Sequence, residues 1–287
     1  MEPIARPEFE LEPKDLGHIG DVSRPLSRIE RIANVDVVRQ LTILIFLGLC
    51  WEGYARYLDS ALMFPTLSSV FEALGESLFG GELLGKIAIS MKVLIAGYAC
   101  GIAAAAVLTT IAVSSRIGAD FLATLTSMFN PLPAIALLPL ALLWFGLGTG
   151  SLIFIIIHSV LWPVALNTHS GFRSVSETQR MVGMNYGFRG LSYVTHLLIP
   201  AALPAILTGL KIGWAFAWRT LIAAELVFGV SSSAGGLGWF IFENRNQLRT
   251  DYVFVGLLTV IVIGLCVEGL IFRWLEKKTV RKWGMLR

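Results

Sequence analysis

Charge is what this sequence has least of. Lys, Arg, Asp and Glu make up 15% of its residues, against about 25% in an average soluble domain. From Phe121 to Phe172 there is no Lys, Arg, Asp or Glu at all. That stretch excludes a solvated surface, and it leaves room for two bilayer crossings, each of which needs about 20 apolar residues. Cysteine is scarce as well. Cys50, Cys100 and Cys266 all lie inside apolar runs at no metal-ligand spacing, which excludes a disulfide framework and a zinc module. A net charge of +3 is too small for a nucleic-acid partner. A phosphate loop is also missing: "GELLGKIA" (81–88) lacks both the four-residue spacer and the Ser or Thr after Lys86. Any ATP-driven process therefore needs its ATPase in trans. The inverted repeats of many secondary carriers are not found. No small-residue cleavage site follows the first apolar run, which reads as a retained span.

What is present is hydrocarbon, 55% of residues with a mean hydropathy of +0.70. Apolar runs at about 40–57, 93–113, twice within 121–172, 200–228 and 252–271 predict an all-α polytopic membrane protein with about six transmembrane helices. Gly97 and Gly101 in "GYACG" offer a small face for close helix contact. Pro131, Pro133 and Pro139 bend the third span, and "FGLGTG" (145–150) turns into the fourth. The spans form one transmembrane domain, 37–274. It follows an N-terminal arm (1–36) and precedes a basic tail (275–287). Within the arm, 25–38 reads either as an interfacial helix on membrane lipid or as a solvated linker. After a break at Pro65, Ser68 with Phe71, Leu74 and Leu78 predicts a short amphipathic helix on the outer surface.

Basic residues set the orientation. With both termini in the cytoplasm, the inner segments hold the arginines of the arm, Arg116, Arg173, Arg180, Arg189 and the basic tail. The outer segments hold only Arg56, Lys86, Lys92, Arg245 and Arg249. The segment 174–199 is then the largest internal cytoplasmic loop. In "SVSETQRMVGMNYG", Ser176 with Gln179 fits a capping box, Met181, Val182, Met184 and Tyr186 supply apolar surface, and Gly187 is placed to end the helix in a left-handed cap. A second helix, about 191–199, returns to Pro200. On physical grounds the element is either a hairpin resting on headgroups or a docking lever.

The fifth span carries ionisable residues at an insertion cost of about 2.5 to 3.5 kcal/mol for a central Arg or Lys. Lys211 lies close enough to the inner end to snorkel. Arg219 either lines a passage and attracts an oxyanion or bonds carbonyls of neighbouring spans. Glu225, six residues on and about 120° round the helix, does not pair with it and reads as a stabiliser of helix ends or of an outer gate. His158 is a pathway candidate or a satisfied core histidine, and Trp218 is an anchor or a pathway residue. Gly209 and Gly213 permit close packing against another span or across a subunit interface. His158 beside Ser159 is a poor hydrolase, because adjacent helical residues point about 100° apart and no carboxylate partner accompanies them.

The stretches "NPLPAIALLPLALLWFGLGTGS", "LSYVTHLLIPAALPAILTGLKIG" and "AAELVFGVSSSAGGLGW" resemble the permease subunits of bacterial ABC importers. They are most similar to the branch serving nitrate, sulfonates, taurine, bicarbonate and aromatic carboxylates. The resemblance runs from about Phe64 to Asp251. The cytoplasmic signature of that family is E-A-A, three residues, Gly, nine residues, a hydrophobic, any residue, Leu-Pro. Gly187 lies thirteen residues before Pro200, as the signature requires, while the E-A-A falls on Met181, Val182 and Gly183, so its acidic residue is missing. A register starting at Glu177 leaves the distance from Gly183 to Pro200 four residues too long. The resemblance implies a type I ABC importer permease-like fold. It implies that 177–187 is a coupling helix, with Met181, Met184 and Tyr186 as contact surface and Glu177, Arg180 or Arg189 standing in for the lost glutamate. It further implies a pair of ATPase subunits holding ATP and Mg, a second copy of the permease and an extracytoplasmic binding protein, with no cofactor and no catalysis in this chain. The alternative is a secondary carrier or channel driven by an ion gradient.

Overall fold

A computed structural model describes residues 35–228 and 235–281. The arm, most of the possible interfacial helix, the serines of "SSSAGGLGW" and the end of the basic tail lie outside the described residues. Among the described residues every regular element is helical. The chain divides into two units, Met1–Gly53 and Tyr54–Arg287.

The first unit holds most of α1 (Asp36–Leu58). It is apolar all round, with Leu44, Phe46 and Leu49 exposed. A helix of that kind is matched to hydrocarbon, not to water.

The second unit is built round α6 (Thr149–Arg173), which packs between α3 (Glu82–Ser114) and α9 (Leu203–Phe228). Lipid tails are as apolar as leucine, so spans associate through close packing and small residues rather than through the hydrophobic effect. The glycines show where this happens. A Cβ on Gly97 would stand 2.7 Å from Ile156, and one on Gly101 2.7 Å from Val160, so α3 meets α6 backbone to side chain. Gly209 and Gly213 do the same for α9, facing Asn167 and Val164 of α6. Their contact is thus within the chain.

Two spans are broken. Helix α4 (Arg116–Phe129) is followed by a 3-10 turn (Ala134–Leu137) that runs into α5 (Leu138–Phe145), and the two halves are bent by 85°. The break sits at Asn130–Pro133. Pro139 contributes nothing to it, because it lies in the first turn of α5, where a missing N–H costs no hydrogen bond. The second break separates α8 (Leu191–Ala201) from α9 by 78°. Pro200 lies in the last turn of α8, so the break falls within two residues of the entry to the fifth span that the sequence places at Pro200. The preceding turn, Val194–Leu198, is a π-helix in which the Ile199 N–H reaches the Val194 carbonyl, and this wider turn accommodates the proline ring. Among the described residues four helices, α1, α3, α6 and α11 (Thr250–Thr279), are long and apolar enough to cross a membrane, and the number is six if each bent pair is one span.

The short helices differ in one respect from expectation. Helix α2 (Leu67–Phe79) is capped by Thr66 and buries Val70, Ala73 and Ser77, leaving Phe71 and Leu78 outward. Its larger apolar side chains therefore face away from the bundle, and the small ones let it approach α11. Helix α7 (Glu177–Asn185) carries the expected capping box of Ser176 and Gln179. Helix α10 (Leu237–Asn246) leads through Leu248, at φ +59°, into α11. That last helix runs on past 274 through a terminal π turn to Arg281, where Glu276 forms an ion pair with Lys211 of α9.

Candidate functional site

Three places gather the residues singled out above. The first is α7 and its corner. Gly187 has φ +81°, the Phe188 N–H bonds the Gly183 carbonyl at 3.0 Å, and the Gly187 N–H bonds that of Met184 at 3.0 Å. These paired bonds form a Schellman ending, which requires a left-handed residue and so favours glycine. Arg180 ties the helix down. Its Nη2 donates to Phe172 O at 2.6 Å, Nε to Val175 O at 3.1 Å and Nη1 to the Tyr193 hydroxyl at 3.3 Å. Gly183 lets Leu197 of α8 close in, since a Cβ there would meet the leucine at 2.8 Å. Phe188 stacks on His196 at 5.6 Å across the corner. The result is a short helix fixed at its base and bare on its outer side. Met181 and Met184 are each 54% exposed and Tyr186 78%, while Val182, Glu177 and Arg189 are exposed too.

The second place is a cavity of about 420 Å³ at the α4/α5 break. His158, Ser159 and Trp162 of α6 line it, as do Phe216, Arg219 and Thr220 of α9 and the Asn130–Ile135 turn, with no carboxylate in the lining. Ser159 Oγ donates to Thr220 Oγ1 at 2.9 Å, pinning the two walls together. Arg219 uses Nε on its own helix, at Ala215 O, and lies over the Phe216 ring at 5.4 Å. Its remaining donors have no acceptor among the described residues. The His158 nitrogens and the Trp162 Nε1 are buried without a well-formed hydrogen bond, although the Phe129 backbone acts on the histidine. Arg219 thus faces a space whose apolar wall is made by Leu132, Ile135, Ala223, three prolines and the rings of Trp162 and Phe216, and Phe129, outside that lining, stacks on Trp162 at 5.8 Å.

The third place is the knot around Glu225. Its carboxylate accepts from Ser90 Oγ of α3 at 2.8 Å and from the Gly238 N–H at 2.8 Å, while the Leu237 N–H donates to Ser90 Oγ at 2.8 Å. A carboxylate at the N-terminus of α10 satisfies amides that the helix cannot. Gly236 and Gly238 admit it, since a Cβ on either would collide with Glu225.

The structure brings His158 and Arg219 to one cavity and places Trp218 elsewhere, buried with Nε1 donating to Val260 O of α11 at 3.2 Å. Glu225 is in the knot, away from the cavity lining. Sequence reasoning does not reach Ser90, Asn130 or Thr220 as site residues, and it weighs Ser159 only as a hydrolase partner of His158 and Trp162 only as an anchor. Only the proline-rich turn beside Asn130 carried a signal.

A polytopic helical bundle with a cavity between its spans and a capped lever on one side is a solute-translocating membrane subunit. The chain belongs to the family of binding-protein-dependent transport system inner membrane components, whose model matches residues 68–281. It is 31% identical to a putative ABC transporter permease protein of Methanocaldococcus jannaschii over 86% of this chain and 93% of that one. A putative aliphatic sulfonates transport permease protein of Bacillus subtilis is 30% identical, covering 78% and 79%. The taurine transport system permease protein of Escherichia coli is 29% identical, covering 79% and 83%. The chain is therefore an ABC transporter permease of the sulfonate, taurine and nitrate branch, a non-catalytic, multi-pass component of the inner membrane.

Proposed function

We propose that this permease imports a small anionic solute of the nitrate, sulfonate, bicarbonate or organic carboxylate class, by alternating access driven by ATP. The observation that carries the reading is α7: apolar and adaptable side chains stand outward on a helix whose base is held by three hydrogen bonds from Arg180. Methionine and tyrosine make large contact area without demanding one partner geometry. A groove on each of two ATPase subunits, which bind ATP and Mg, receives this helix. Their closure moves α7, and the corner at Gly187 passes the displacement to α8 and α9 as a rigid-body step. Two copies of the permease frame the path, with both termini in the cytoplasm, and a binding protein delivers solute from outside. The chain itself needs no cofactor.

The cavity supports the choice of an anion. Arg219 offers a guanidinium fork to an oxyanion, and no carboxylate in the lining opposes it. The names of the sulfonate and taurine relatives point the same way. The missing E-A-A glutamate leaves Glu177 and Arg189 as the exposed charges of the docking surface, since Arg180 is turned inward. Single cysteines at Met181 or Met184 should cross-link to the ATPase. Failure at every position from 178 to 188 contradicts the docking.

The two bent helix pairs favour a second reading, because ion-gradient carriers also build their sites from broken helices. That reading requires uptake with no ATPase present.

A further inference from the structure

Charge is scarce in this chain, yet three arginines meet at one small cavity outside the places described above. It measures about 340 Å³ and lies where α3 ends, α4 begins and α6 ends, on the side assigned to the cytoplasm. Arg116, Arg173, Arg180 and His169 line it, and no aspartate or glutamate does. Arg180 spends its donors on Phe172, Val175 and Tyr193. Arg116 and Arg173 have no hydrogen bond or ion pair among the described residues. His169 presents a buried Nδ1 without a partner.

The backbone adds to this field. Helix α4 is 14 residues long and starts at the cavity, with Ser115 Oγ accepting from the Gly118 N–H at 3.0 Å. Its positive end faces the same region as the guanidinium groups. Like charges gathered without a counterion repel, and an entering anion relieves that repulsion. Guanidinium forks match phosphate oxygens in pairs. The cavity sits at the ends of membrane helices, and basic pockets between spans on the cytoplasmic side take anionic lipid headgroups.

We propose that this pocket is a phosphate-oxyanion site, filled by the headgroup of an anionic membrane lipid or by free phosphate. The site is separate from the solute cavity, and it stands whether or not α7 docks on an ATPase.

The test uses the purified chain in neutral detergent. Retained lipid is counted by native mass spectrometry with phosphatidylglycerol or phosphatidylcholine, and thermal melting is followed with inorganic phosphate against chloride at equal ionic strength. Arg116→Gln, Arg173→Gln and the double variant remove the forks, Arg173→Lys keeps charge without the fork, and Arg245→Gln on the other side is the control. Phosphatidylglycerol affinity should fall about fivefold for each arginine removed, from roughly 1 kcal/mol per basic side chain. Arg173→Lys should fall between wild type and Arg173→Gln, and the control should be unchanged. If the double variant does not fold, the single variants and Arg173→Lys decide. Retention of phosphatidylglycerol without a phosphate effect assigns the headgroup, and a phosphate-dependent rise in melting lost in the arginine variants assigns the free ion. Equal lipid retention by wild type and arginine variants, with no phosphate shift in either, overturns the site.

Discussion

Ser90 and Glu225, 135 residues apart, are joined by a hydrogen bond of 2.8 Å that closes α3 and α9 over the N-terminus of α10. The carboxylate and hydroxyl between them satisfy the Leu237 and Gly238 amides. Removing a buried partner leaves the others unpaired at about 1 to 3 kcal/mol, more where the group is charged. Glu225→Ala leaves the Gly238 amide and the Ser90 hydroxyl proton unpaired, and Ser90→Ala leaves the Leu237 amide unpaired and the buried carboxylate with one donor fewer, so both variants should lower the melting midpoint. Equal midpoints for wild type and Glu225→Ala would show that the knot contributes nothing.

Packing at Gly97 and Gly101 makes a second prediction. Valine at either position overfills the α3/α6 contact, with a cost of about 1 to 3 kcal/mol. Gly75, in α2, has open space around its missing Cβ, and alanine there should stabilise by up to about 1 kcal/mol through helix propensity. Thermal melting in detergent reads both, and the expected signs are opposite.

Gly187 separates coupling from folding. At φ +81° an alanine is strained by roughly 1 to 2 kcal/mol, which tilts the corner without touching the cavity. ATP-dependent uptake should drop while solute affinity of the detergent-solubilised complex stays near wild type. A matching loss in both would place the effect elsewhere.

Arg219 is tested by charge and by shape. Arg219→Gln should reduce anion uptake at least tenfold, about 1.4 kcal/mol, and Arg219→Lys should recover part of it, since it keeps charge but loses the fork. ATPase assembly on the chain should not change in either variant.

Much of this architecture can be read along the chain because its causes are local. The uncharged run 121–172, the box of Ser176 with Gln179 and the left-handed need at Gly187 each depend on a few neighbouring residues. Glycine at 97 and 101 declares a close face at one helical spacing, though not that Ile156 and Val160 fill it. The knot is the opposite case. Nothing near Ser90 announces Glu225, because only the packing of α3 against α9 brings them together. Prolines locate the breaks only to within a turn: Pro200 sits two residues before the α8/α9 break, with a π turn ahead of it that takes the ring, and Pro139 sits where a helix begins. The spacing of Phe71, Leu74 and Leu78 announces the helix α2, but not that Val70, Ala73 and Ser77 are the residues it buries.

The proposed docking of α7 carries one claim above the others: that transport by this permease is driven by an ATPase bound in trans. The direct measurement is uptake of a labelled sulfonate into proteoliposomes, with the binding protein present and the ATPase and ATP supplied or withheld. The account predicts uptake only when ATPase and ATP are both present, and its loss when Met184 is replaced by arginine. Full-rate uptake on an ion gradient with no ATPase would contradict it.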